Sequence, residues 1–358
     1  MTNATQTWFW LLSLSMACLF YACTDKETGI PTDSVFTSRN LLGCDNYESH
    51  QIIPPNSDEI NEVAKLNDFF IYASGGMLIV KDGIAGTVVL EKDIAITYKL
   101  LVHNNRVLVC AQDGIFEIDE ALNFTQRSNA SCLDMNLNSE GEVLFTTLGF
   151  GTNEPDKIYE LTPQNTVEPF TNAYDRQGLC ITLLNFGIVG NSIWAFNCYG
   201  ELVVFENGLY SRTYNASNVE TWGGTVVVPD GFFILPHRDD LFVVSKNGTA
   251  YLILKYSAGS WTVFKNFREG EPPSEKDQKM RVTDIHDAII HEDKLLIATR
   301  EGVQEFDLLA TLPLQDADYA IIQDPEFPSQ WISSFYKASE TEVYLLTIQR
   351  TIISMDCF

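Results

Sequence analysis

Residues 107–119, VLVCAQDGIFEID, form the hairpin that decides the fold: an apolar strand, an Asp-Gly turn and a second strand of alternating character. β-Branched and aromatic residues favour strands, and glycine tolerates the positive φ that tight hairpin turns need. Four further copies and two altered ones carry the same pattern, at residues 70–82, 193–205, 242–254 and 295–307, and at 143–161 and 343–356. The body of the chain is therefore a repeat of one β-hairpin.

The spacing of the copies predicts the architecture. Their turn glycines are Gly76, Gly114, Gly200, Gly248 and Gly302, and the altered copies are centred near residues 153 and 350, so neighbouring turns lie about 38 to 54 residues apart. That period is typical of one four-stranded propeller blade. We therefore expect residues 41–358 to form a seven-bladed, all-β propeller.

A seven-bladed ring must be closed by joining the two ends of the chain. The last copy leaves its blade with only three strands. The missing outer strand is expected from residues 47–53, paired with residues 351–355. A ring closed in this way removes the open edges at which sheets otherwise aggregate.

The cysteines fit a ring exported to an oxidising compartment. Cys44 and Cys357 flank the two strands of the expected closure, and Cys180 and Cys198 belong to one hairpin of blade 4. A disulfide is predicted for each of these pairs. Cys110 and Cys132, on adjacent strands of blades 2 and 3, form a weaker candidate pair, with buried reduced thiols as the alternative.

The N-terminal stretch predicts export. Residues 8–22, WFWLLSLSMACLFYA, are uncharged and too short to span a bilayer comfortably, but have the length of a signal-peptide core. Ala22-Cys23 and the polar residues after it resemble a lipoprotein signal of the Bacteroidetes. The resemblance implies a signal peptide over 1–22, lipidation of Cys23 (Cys18 is a second, less suitable position) and a flexible tether over 23–40. The expected location is the outer membrane of a Gram-negative bacterium, facing the periplasm or the cell surface, with the lipid as the only membrane anchor. An ordinary cleaved signal or a membrane-anchoring segment are the alternatives.

The hairpin sequences DGIFEID and EGVQEFD resemble the two-component-regulator propeller repeat of periplasmic sensor domains. The resemblance covers most of residues 60–358 and implies a ligand-binding propeller, often for carbohydrate. The kinase, transmembrane relay and trailing sandwich domain of full sensors have no counterpart in this sequence.

Charge excludes one class of partner. The chain has 23 Lys and Arg against 48 Asp and Glu, a formal net charge of −25. Nucleic-acid binding requires a basic surface, so no nucleic-acid partner is expected.

The candidate binding site is the mouth of the central channel, where residues entering the inner strands should lie. Trp222 is a candidate stacking platform for a sugar ring, with core packing between blades as the alternative. The full predicted set is Asp134, Tyr174, Arg176, Trp222, Arg281, Asp284, His286 and Trp331. A second charged run, residues 237–240, is interpreted as an ordinary solvated hairpin turn.

No catalytic motif is present: the nucleophile elbow, HExxH and the phosphate-binding glycine loops are all missing from the sequence. No cofactor is expected. A calcium ion held by channel oxygens is compatible with the composition, but no spacing supports it. The favoured hypothesis is a non-enzymatic propeller that binds a small molecule, a glycan or an envelope protein. The alternatives are a channel-site enzyme (a polysaccharide lyase, glycoside hydrolase or lactonase) and a structural partner of an outer-membrane complex.

Overall fold

A computed structural model gives the fold. It describes residues 36–37, 46–51, 60–84, 86–147, 157–172, 183–197, 200–214, 233–247, 250–267, 285–300, 302–315, 317–322, 332–339, 342–347 and 351–356. Every regular element in these ranges is a β-strand. No helix in the described part of the chain is long and apolar enough to cross a membrane.

The described strands form seven sheets, which are the blades. Two strands precede blade 1 in the chain, β1 (Phe36–Thr37) and β2 (Asn46–Gln51). Blade 1 contains β3 (Ile60–Leu66), β4 (Phe69–Ser74), β5 (Met77–Asp82) and β6 (Val88–Asp93). Blade 2 contains β7 (Thr97–His103), β8 (Arg106–Ala111), β9 (Gly114–Ile118) and β10 (Phe124–Ser128). Blade 3 contains β11 (Asp134–Leu137), β12 (Val143–Thr146), β13 (Tyr159–Leu161) and β14 (Val167–Pro169).

Blade 4 contains β15 (Leu183–Val189), β16 (Ser192–Asn197), β17 (Leu202–Glu206) and β18 (Leu209–Tyr214), and blade 5 contains β19 (Phe233–His237), β20 (Asp240–Asn247), β21 (Ala250–Ser257) and β22 (Ser260–Asn266). Blade 6 contains β23 (Ile285–His291), β24 (Lys294–Thr299), β25 (Gly302–Asp307) and β26 (Tyr319–Ile322). Blade 7 contains β27 (Ile332–Lys337), β28 (Glu342–Thr347) and β29 (Thr351–Asp356). Within each blade, consecutive strands pair antiparallel.

The blades are arranged as a closed ring. The first strand of each blade packs against the first strand of the next, in the order β3, β7, β11, β15, β19, β23, β27 and back to β3. These seven innermost strands surround the central channel. The predicted seven-bladed propeller is confirmed.

The N-terminal strand completes the last blade as predicted. Strand β2 pairs antiparallel with β29, with Tyr47 opposite Met355 and Gln51 opposite Thr351. Strand β1 adds a parallel fifth strand to blade 6, with Phe36 opposite Ile321. It lies within the stretch 23–40 for which the sequence predicts a tether.

The core lies between neighbouring blades. The second strand of most blades is almost wholly buried, as in β8, β16 and β24, because both faces of the sheet are covered. Doubly covered strands need unbroken apolar runs, which explains sequences such as VLVCA. The outermost strand β6 is largely exposed.

One disulfide joins two blades. Cys110 in β8 and Cys132, two residues before β11, are bonded, with their Cα atoms 5.0 Å apart and both side chains fully buried. The Cys132 N–H also donates a 3.0 Å hydrogen bond to the carbonyl of Ala111. The pair for which the sequence gives the weaker prediction is thus bonded in the described part of the chain. The predicted pairs Cys44–Cys357 and Cys180–Cys198 lie outside the described residues.

Candidate functional site

A ring of side chains occupies one register position in all seven innermost strands. Its members are Glu62, Lys99, Asp134, Asn185, Phe233, Asp287 and Ser334, which we call the channel ring. Register irregularities lie beside this position in β3, β7, β15, β23 and β27. Because bulges redirect side chains, they place polar groups where a regular strand would bury apolar ones. Six of the seven members are polar.

Three carboxylates of the channel ring bind the backbone of the next blade. Glu62 accepts a hydrogen bond from the Leu100 N–H at 3.4 Å. Asp134 accepts one from the Phe186 N–H at 2.9 Å, and Asp287 accepts one from the Phe335 N–H at 2.8 Å. Each donor follows the ring member of its own blade. The ring therefore ties neighbouring blades together.

Lys99 is the single cation of the channel ring. Its Nζ lies 2.7 Å from Oδ1 of Asp134 and 2.9 Å from Oδ1 of Asn136. Asn136 in turn donates to the carbonyl of Phe186 at 2.7 Å. The aspartate is only 8 % exposed, so this ion pair is shielded from water on its acidic side.

The electrostatics of the ring favour retained protons. Loss of solvation, together with the nearby charges of Asp287 and Asp134, raises the pKa of Glu62 to about 8, against an opposing effect of Lys99. Burial also raises the pKa of Asp287 to about 6, although the N–H groups of Phe335 and Ala288 stabilise its charged form. A pKa of about 8 favours the protonated form of Glu62 at neutral pH, and a pKa of about 6 favours the charged form of Asp287.

A cavity of about 340 Å³ opens against one side of the ring. Its polar side consists of Lys99, Asp134, Asn136 and Asn185, and its apolar side includes Ile188 together with the strand β19. The volume lies within the range of small-molecule sites. The cavity thus combines hydrogen-bonding groups with an apolar wall that carries the half-buried ring of Phe233.

Gly187 shapes the apolar wall. A Cβ atom at this position would lie 2.6 Å from Cγ2 of Ile234 and 3.1 Å from Cγ of Pro236. Real Cβ atoms do not approach so closely. The missing side chain therefore lets β15 and β19 come together beside the cavity.

Two of the predicted site residues lie in the described part. Asp134 belongs to the channel ring, and His286 is exposed on β23 next to Asp287. Tyr174, Arg176, Trp222, Arg281, Asp284 and Trp331 lie outside the described residues, so their role stays a prediction. No group of three or more His, Cys, Asp or Glu that could hold a metal occurs among the described residues.

Sequence reasoning missed most of the ring, although a signal was present. The segments NEV, YKL, LDM, LNF, HDA and SSF all place the ring member before an apolar residue of the inner strand. Comparison of the inner strands would have revealed this position. The turn glycines that define the repeat lie between the second and third strands, so they give no information on the innermost strand.

The charged run at residues 237–240 links two blades. His237 Nε2 and Arg238 Nη2 lie 3.1 Å and 2.5 Å from the same oxygen, Oδ1 of Asp293. Arg238 is mostly exposed, as expected for a hairpin turn, and its φ is +55°. This run is a contact between blades 5 and 6.

Comparison with known proteins supports the fold. The sequence matches no family model, and no curated protein matches it. Similar solved structures include YCF48 bound to D1 peptide (13 % identity, 91 % of this chain and 100 % of that chain, TM-score 0.60). They also include BamB from Moraxella catarrhalis (10 %, 84 % and 84 %, 0.52) and the extracellular domain of a hybrid two-component system, BT4673, from B. thetaiotaomicron (10 %, 87 % and 43 %, 0.58). All three are β-propellers. Identities this low show a shared fold.

Proposed function

We propose that this protein is a non-enzymatic binding propeller that holds a carbohydrate or similar hydroxyl-rich ligand in its central channel. The observation that carries the proposal is the cavity of about 340 Å³ between the polar side of the channel ring and the apolar wall of β19. Sugars present hydroxyl groups on their edges and C–H groups on their faces. Lys99, Asn136 and Asn185 suit the former, and Phe233 suits the latter.

The similar structures support a binding role without indicating the class of ligand. One of them is recorded with a bound peptide and another is an extracellular domain. A peptide or protein ligand is therefore the outcome to test against a glycan.

A glycan array and a peptide array, both probed with the full-length protein, test the proposal. We expect glycan binding that the Lys99→Met variant weakens about tenfold, since a charged hydrogen-bond donor is lost. Lys255→Met is the matched control, because Lys255 forms an ion pair of the same 2.7 Å length with Asp240 in blade 5, away from the channel. Absence of glycan binding, or equal binding by both variants, would contradict the proposal. Stoichiometric co-purification of an envelope protein without glycan affinity would instead favour the role of structural partner.

We also propose that the protein is a lipoprotein of the outer membrane, facing the periplasm or the cell surface and anchored through Cys23. The disulfide between Cys110 and Cys132 supports an oxidising compartment outside the cytoplasm. Metabolic labelling with palmitate in a bacterial host tests the anchor. Cys23→Ser should abolish the label and Cys18→Ser should keep it; label that survives Cys23→Ser would overturn the assignment.

A hydrolytic role is the second candidate, and one observation favours it. Loss of solvation, together with the charges of Asp287 and Asp134, raises the pKa of Glu62 to about 8, which favours the protonated form that a general acid needs at neutral pH. Incubation of a bound glycan with the protein separates the two roles. Recovery of intact sugar supports binding, whereas cleavage that Glu62→Gln abolishes would establish a hydrolase.

A further inference from the structure

A second cavity, of about 500 Å³, lies between blades 2 and 3. It is lined by the β7–β8 turn and strands β8 to β10 of blade 2 and by the β11–β12 and β13–β14 turns of blade 3 with their adjoining strand residues. It shares no lining residue with the channel cavity. Its size is within the range of small-molecule sites. Its two walls carry opposite charge.

The wall from blade 2 is basic. Arg106 Nη1 and Arg127 Nη1 lie 3.1 Å and 3.2 Å from the same oxygen of Glu117, which is 7 % exposed. One carboxylate thus faces two guanidinium groups, and Arg106 also interacts electrostatically with Asp119, which does not line the cavity. Among the groups of this wall that line the cavity, two arginines face one glutamate. In addition, the Nε atom of Arg127 is buried and has no hydrogen-bond acceptor among the residues that the structure describes. An unsatisfied buried donor is costly, so an anion that reached it would be stabilised.

The wall from blade 3 is acidic. It carries Glu140, Glu142 and Glu160, and none of these forms an ion pair with any described residue. Loss of solvation and the neighbouring carboxylates of Glu142 and Glu168 raise the pKa of Glu160. A cation between these carboxylates would relieve their repulsion.

Leu108, Val143 and Leu161 also line the cavity and give it an apolar component. The six charged lining groups, two arginines and four glutamates, give a net charge of −2. A complementary ligand therefore has a carboxylate at one end, an aliphatic stem and a cation at the other end, with a net positive charge.

We propose that this cavity binds a basic α-amino acid with a free carboxylate, such as arginine, either free or as the C-terminal residue of a peptide. The carboxylate lies against Arg106 and Arg127, and the side-chain cation lies against Glu142 and Glu160. This site is independent of the ligand proposed for the channel.

Calorimetric titration of the full-length protein tests the proposal with four probes: L-arginine, the dipeptide Gly-Arg, agmatine, which lacks the carboxylate, and L-citrulline, which lacks the side-chain charge. We expect saturable binding of L-arginine or Gly-Arg, and at least about tenfold weaker binding of agmatine and citrulline, since each lacks one charged contact. Tighter binding of Gly-Arg assigns the site to peptide C-termini, and binding of L-arginine alone assigns it to the free amino acid.

Matched variants locate the binding. Glu160→Gln and Arg127→Gln should each weaken it about tenfold. Their controls are Glu91→Gln, at an exposed position of β6 in blade 1, and Arg212→Gln in blade 4, whose residue pairs with Glu206; neither residue lines the cavity. Melting temperatures confirm that each variant is folded. Failure of all four probes to bind, or equal binding by test and control variants, would overturn the proposal.

Discussion

The carboxylate of Asp134 in blade 3 accepts a 2.9 Å hydrogen bond from the backbone N–H of Phe186 in blade 4. Asp287 makes the corresponding contact with Phe335 between blades 6 and 7. The repeated contact shows that the channel ring has a structural role in addition to the binding role proposed for it. A polar ring that both joins blades and lines a cavity is therefore sensitive to single substitutions.

Replacement of Asp134 should destabilise the fold strongly. Asp134→Ala removes the partner of Lys99 and leaves the Phe186 N–H without its acceptor, so we expect a loss of about 3 kcal/mol. Chemical denaturation measures the free energy of unfolding. Glu206→Ala, which breaks an exposed pair with Arg212, is the control and should cost about 1 kcal/mol or less. Equal losses of unfolding free energy in both variants would show that the Asp134 contacts stabilise the fold no more than an exposed ion pair does.

Stability should fall as the pH rises through neutrality. The folded-state pKa of Glu62, about 8, exceeds its ordinary value of 4.5, so between these values the folded protein keeps a proton that the unfolded chain releases. This contribution is complete below pH 4.5 and is lost as the pH approaches 8. Through this one group, the free energy of unfolding falls by at most about 1.4 kcal/mol per pH unit. The fall is smaller for a half-buried group such as Glu62. Asp287 acts in the same direction, between its ordinary 3.8 and about 6.

The Glu62→Gln variant measures this effect. Glutamine resembles the protonated acid, so the free energy of unfolding should depend less on pH between 5 and 8 than in the unmodified protein. Glu91→Gln, at an exposed position of β6, should keep the full dependence. A Glu62→Gln profile that follows the original one would mean that Glu62 ionises normally.

Loss of the disulfide should cost about 3 kcal/mol, because the bond closes a loop with a sequence separation of 22 residues. Denaturation of the Cys110→Ala/Cys132→Ala variant measures this loss. A reductant should lower the stability of the original protein by more than it lowers the stability of the variant, because the variant no longer has this bond to lose. A protein whose stability the reductant does not alter would contain no such bond.

The closure strand should be essential. A chain that begins at residue 52 lacks β2, leaves β29 as an open edge, and is expected to melt at a lower temperature and to aggregate. A chain that begins at residue 38 loses only β1 and should stay close to the original stability. Light scattering during thermal unfolding compares the two. If both chains behaved alike, the pairing of β2 with β29 would not hold the ring together.

The fold was predictable from the sequence because its signal is local and repeated. Five apolar hairpins with a turn glycine, such as Gly114, and two altered copies each indicate one blade, so the seven copies predict the number of blades. The N-terminal closure followed from the three strands left in the last blade. The alternation of apolar and polar residues in each strand is strong enough to be recognised in the sequence alone.

The site was less predictable because it depends on contacts between blades. Glu62 and Lys99 are ordinary charged residues on a strand, and only the ring brings them into one channel. The carboxylates of Asp134 and Asp287 each bind a backbone N–H about 50 residues further along the chain. No local pattern specifies such partners, although the repeated position before an apolar residue indicated where to look.

The most direct test of the channel proposal is a crystal structure of the protein with the strongest-binding glycan. We expect electron density for the sugar between Lys99 and Asn185 on one side and Phe233 on the other. A sugar bound on the outer surface of the ring, with the channel cavity unchanged, would contradict the account.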